Sequence, residues 1–193
     1  RDCAPLLKQL KHRRRKAFRH LKAELDSRRQ RRLLLRLDRW SEQPGTTALA
    51  ALNLMDWLPD WLQTCTACCF LHAGWFAQDP GADALHDLRK RIKETRYGLE
   101  ALSPWLGTAG EAWIDDLRRV QGCLGDLHDQ DVLLQLLAPQ RSKAPSDSIA
   151  ALLEALQQER LQRWQQWLGL RDELLASPRR QQLRQLSPQL PQD

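Results

Sequence analysis

From Leu85 to Leu102 two rows of side chains run side by side on one helical wheel. At about 100° per residue, Leu85, Leu88, Ile92, Leu99 and Leu102 fall in one sector, the stripe of a helix with one buried face. His86, Arg89, Lys93 and Arg96 fall within roughly 80° of one another, in the sector next to the leucines rather than opposite them. A fold that buries the leucines therefore brings the cations to a seam between helices. Like charges at these spacings repel by a few tenths of a kcal/mol per pair when exposed, and by more where water is scarce. Something anionic must compensate them. The chain's own acids can do so, with Glu100 on the same stripe and Asp126, Asp129 and Asp131 on the next helix. So can a row of phosphates, which arginine meets with a fork of donors and lysine with a compact charge.

The rest of the chain reads as helix too. Leu, Ala, Gln and Arg dominate its 193 residues and β-branched residues are few, which predicts one all-α domain large enough to bury a core. The apolar steps Leu7, Leu10, Phe18, Leu21 and Leu25 predict a first long helix over about 5–40, bent near Ser27 and ended by Pro44 and Gly45. Further helices are expected over 58–78, from a cap at Asp83 to about Ser103, over 111–137 with a bend at "LGDLHD", and over 149–186 with a break at Pro178. "PQRSKAPSDS" reads as a polar loop and 187–193 as a disordered tail. "RDCAPLL" at the start echoes "HDQDVLL" at 128–134, and 24–34 echoes 174–184. This is the pattern of a duplicated helical unit, with a partial first copy over 1–82 and a second over 83–186.

Charge is uneven. Residues 1–40 carry 15 Lys and Arg against 4 acids, whereas the remainder carries 15 against 20. A basic end predicts a polyanionic partner. Arg14 lies within the first helix's apolar stripe, and a buried unpaired guanidinium is costly, so its head is expected in a wet, anion-filled space. No secretory leader opens the chain and its most apolar stretch, 48–76, is broken by Asp56, Pro59 and Asp60. With five cysteines lacking a disulfide-rich spacing, this predicts a cytoplasmic protein with no membrane span.

The quoted residues are similar to those of a known family. "HDLRKRIKETRYGLE" resembles the motif of the conserved histidine α-helical domain, or CHAD, family, matched here by His86, Arg89, Lys93, Arg96, Tyr97 and Glu100. A second signature is similar at Gln121, Leu124, Gly125 and Asp129, and a Ser-x-Arg element at Arg29 and Arg179. The resemblance implies a helical bundle of two four-helix units, the first incomplete here, around a basic pore that binds inorganic polyphosphate. It also implies an amino-terminal triphosphatase domain of the CYTH type in some relatives, association with polyphosphate granules, and no catalysis by this chain itself. On that reading His86, Arg89, Lys93 and Arg96 contact phosphates, joined by Arg14, Arg29 and Arg179, while Tyr97, Glu100 and Asp129 support them.

Two other readings stand beside it. Metal binding would use His86, His128, Asp129 and Asp131, or Cys65, Cys68, Cys69 and His72 on one helical face. The three cations that share its stripe disfavour a dication at His86, and small thiols are ordinary in an apolar helix. Non-specific nucleic-acid binding would use the basic first helix. No recognition motif supports it, and the eight Trp, Trp57, Trp61, Trp75, Trp164 and Trp167 among them, read as core. No phosphate-binding loop or nucleophile motif is present in the sequence, so neither a cofactor nor an enzymatic role is expected.

Overall fold

The computed structural model describes residues 4–143 and 147–184, and these form seven α-helices with three short 3-10 turns and no strand. The chain is all-α. It divides into two compact units, 1–53 and 54–193. Among the described residues no helix is long and apolar enough to cross a membrane.

The first unit holds α1 (Ala4–Leu25) and α2 (Arg28–Glu42). The expected bend at Ser27 is a full break, because its hydroxyl accepts from the Gln30 N–H at 3.2 Å and so caps a new helix. The stripe predicted to be buried is open instead: Leu7, Phe18, Leu21 and Leu25 are exposed, and Leu6 is the helix's buried residue. Two helices cannot surround a side chain with the six to twelve neighbours that full burial takes, roughly. Arg14 is exposed rather than enclosed.

The second unit holds α3 (Leu54–Phe70), α4 (Asp83–Ala101), α5 (Gly107–Lys143), α6 (Asp147–Leu175) and α7 (Ser177–Arg184). Leu85, Leu88, Ile92 and Leu99 of α4 are buried against Leu117, Val120, Leu124 and Leu127 of α5 in one continuous core. Phe70, Trp75, Trp113 and Trp167 join it as an aromatic cluster. Phe70 lies edge-on to Trp113 at 5.3 Å, and Trp75 stacks on Trp167 at 5.4 Å. Trp164 is core as expected, whereas Trp57 is exposed.

Several boundaries move for identifiable reasons. Helix α3 starts four residues before Leu58 and tolerates Pro59 near its amino end, and it stops at Phe70 in favour of a 3-10 turn, Ala73–Phe76. Asp83 is the first residue of α4 rather than its cap; Ala82 is the cap and supplies no side-chain bond. Gly107, at φ 57°, makes the left-handed link into α5. That helix passes through "LGDLHD" without a break and continues through Pro139 to Lys143, into the segment read as a loop. The final break falls at Ala176, and Pro178 sits inside the first turn of α7, where a missing N–H costs nothing. The tail 187–193 lies outside the described residues.

Two glycines give opposite expectations. A Cβ on Gly74 would meet the carbonyl oxygen of Ala84 and come within 2.6 Å of the Leu88 Cβ, so backbone would have to move. Gly122 in α5 has nothing within 4 Å of that position. Gly74→Ala should lower stability by about 1–3 kcal/mol and Gly122→Ala should raise it by up to about 1 kcal/mol, as read by denaturant unfolding.

Candidate functional site

The seam where α4 meets α5 carries the cation row. Its carboxyl-terminal end is internally compensated. Arg96 donates from Nη1 to Glu100 Oε1 at 2.6 Å and from Nε to Gln121 Oε1 at 2.8 Å, while its guanidinium lies 4.2 Å from the Tyr97 ring centroid. Glu100 also accepts from Arg118 Nη2 at 2.7 Å, and Arg118 reaches Asp115 at 2.7 Å. Arg118, followed by the neighbouring Arg96, holds the Glu100 carboxyl below its ordinary range. Glu100 and Tyr97 thus fix Arg96, and Gln121 does so from the next helix.

The amino-terminal end differs. Arg89 Nε is buried with no hydrogen-bond partner. Of the acids on the next helix, Asp131 accepts from Arg160 of α6 at 2.6 Å, and Asp126 pairs with Arg163 at 3.3 Å. A cavity of about 280 Å³ opens beside Arg89, lined by His86, His128, Asp83, Asp131 and Gln135 among others, with Pro80 and Gly81 at its rim. The His86 and His128 rings, both in its lining, lie against one another, tilted by 37° with centroids 5.1 Å apart. A Cβ on Gly125 would make ordinary contact, at 4.0 Å, with Arg89 Nε and Nη2. Lys93, one turn on, is exposed and lies 5.7 Å over the Tyr97 ring.

The other predicted cations are borne by other elements. Arg14 and Arg29 are exposed in the first unit. Arg179 donates from Nε to Asp116 Oδ2 at 2.8 Å, donates to the same oxygen from Nη2, and lies 4.8 Å over Trp113. Asp116 also takes Arg119, which forks onto Glu173 at 3.0 Å. This network ties α5, α6 and α7 together. Asp129 is exposed and does not line the cavity.

No group of three His, Cys, Asp or Glu side chains among the described residues is placed to hold a metal ion. His72 Nδ1 accepts from the Gly74 N–H at 3.0 Å, and burial pushes the Cys69 thiol up to about 12. Sequence reasoning did not identify Gln121, Arg118 or Arg160 as partners. Arg118 and Arg160 meet acids 18 and 29 residues away, with no local spacing to reveal them.

Because the Glu100 carboxyl is held below its ordinary value of 4.5, its contribution to stability is complete above that value and is lost as pH falls through the lower folded value. Melting temperature measured down through this window should fall less steeply for Glu100→Gln than for the wild type.

A family model described as the CHAD domain matches residues 1–138, from the first helix through most of α5 and including both ends of the cation row. No curated protein and no solved structure matches the chain. With more than half of the chain matched, the motif on α4 and its Leu-Gly partner on α5 mark the chain as belonging to the CHAD family.

Proposed function

We propose that the chain binds inorganic polyphosphate in the α4–α5 seam, as a capture or targeting module that performs no chemistry of its own. The observation that carries this reading is the buried, unpartnered Nε of Arg89 beside a cavity flanked by two imidazoles. A buried donor without an acceptor costs on the order of 1–3 kcal/mol, more when charged, and a phosphate oxygen removes that cost. His86 and Arg89 hold one phosphate at the cavity, and Lys93 takes the next as the chain runs along the exposed side of α4. Arg96, pinned by Glu100 and Gln121, adds its field and bounds the track. Arg14 and Arg29 supply long-range attraction from a strongly basic segment. Arg179, with its donors committed to Asp116 and Gln182, acts by holding α7 in place.

A partner of this chemistry explains why the cations are lined up rather than dispersed. It also accommodates the triphosphatase association implied by the resemblance, since a module that holds a phosphate chain raises its local concentration for a CYTH-type enzyme. Localisation at polyphosphate granules would follow from the same affinity.

Competition between long-chain polyphosphate and duplex DNA, matched in phosphate at physiological salt, tests the reading. Polyphosphate should bind with DNA displacing it poorly, and Arg89→Ala with Lys93→Ala should weaken binding by about 10- to 100-fold or more. Equal displacement by DNA, or unchanged binding by the variant, would reduce the seam to a general basic surface.

A further inference from the structure

The charge balance of the cavity is decided by its imidazoles. Two acids line it, Asp83 from α4 and Asp131 from α5. Two guanidiniums answer them, Arg89 of α4 and Arg160 of α6, the latter 2.6 Å from Asp131 and packed near Gly81 at the rim. Asp87 lies near His86 on one side and His72 on the other, but it is exposed and bonded to Lys90 at 3.1 Å. With both imidazoles neutral, the cavity's fixed charges cancel. With both protonated, the cavity carries two added positive charges on rings 5.1 Å apart, an arrangement that a bound anion stabilises.

We propose that His128 is a ligand of this anion seat, acting with His86 and Arg89, and that affinity for phosphate chains therefore rises as pH falls through the imidazole range. This rests on the polyphosphate reading above. The family motif places one histidine here; the second comes from α5, at the head of "HDQDVLL". In the echoing segment "RDCAPLL" an arginine, Arg1, stands at the corresponding position. A permanent cation at one position and a titratable one at the other is the difference between constant and pH-dependent anion binding.

The sign follows from linkage. A bound anion favours imidazolium over imidazole, so binding takes up protons and weakens with rising pH, by at most about tenfold per pH unit for each proton taken up. A long polyphosphate chain is the right probe, because its interior phosphates keep their single charge throughout the range.

The test is binding of long-chain polyphosphate to the full chain from about pH 8 to about pH 6, at constant ionic strength, by titration calorimetry. Wild type, His128→Gln, His128→Arg and Arg89→Ala would be compared. The wild type should tighten by tenfold or more on acidification. His128→Gln should tighten distinctly less, and His128→Arg should bind at the upper pH about as well as the wild type does at the lower. Coincident pH profiles for the wild type and both His128 variants, with Arg89→Ala impaired, would overturn the role of His128 and leave the polyphosphate reading standing. Arg89→Ala binding as tightly as the wild type would overturn both.

Discussion

Burial of one leucine row fixes everything else about the seam. Leu88 and Ile92 are fully enclosed, with Leu85 and Leu99 nearly so, and this packing sets the rotation of α4 against α5. Once the rotation is set, a residue one or four positions along the helix has no choice of direction. Arg89 and Arg96 are carried to the edge of the interface, half in and half out of the protein. The apolar core is therefore the device that positions the cations, and each leucine removed would loosen a guanidinium as well as open a cavity.

Within that row the protein treats its cations differently. Arg96 receives a carboxylate, an amide oxygen and an aromatic face, the set that makes a partly buried guanidinium stable. Arg89, two turns earlier, receives none of these at its Nε. The nearby acids Asp126 and Asp131 are drawn across to α6 by Arg163 and Arg160. Helix α6 thereby holds two of the acids that α5 carries.

What was legible in the sequence follows the range of the interactions. Helical periodicity revealed the all-α class and the side-by-side rows, because both repeat within one turn. The Arg96–Glu100 pair was visible for the same reason, at four residues' separation. The Arg179–Asp116 pair, 63 residues apart, was not, because no local spacing announces it. The first helix misled in another way. Its stripe is well formed, but periodicity states only which face is apolar, and the first unit holds too few elements to cover it. Helix ends differ from the sequence pattern at prolines, since Pro139 lies inside α5 and Pro178 inside the first turn of α7.

On the polyphosphate reading, Arg89 is left unsatisfied at its Nε so that an anion can satisfy it. The most direct measurement is the melting temperature of the wild type and of Arg89→Met, each with and without long-chain polyphosphate. Methionine keeps the length and removes the charge, so the unliganded variant should melt at or above the wild type, while polyphosphate should raise the melting temperature of the wild type alone. A variant that melts well below the wild type, yet is stabilised by polyphosphate to the same extent, would make Arg89 a structural residue and not an anion ligand.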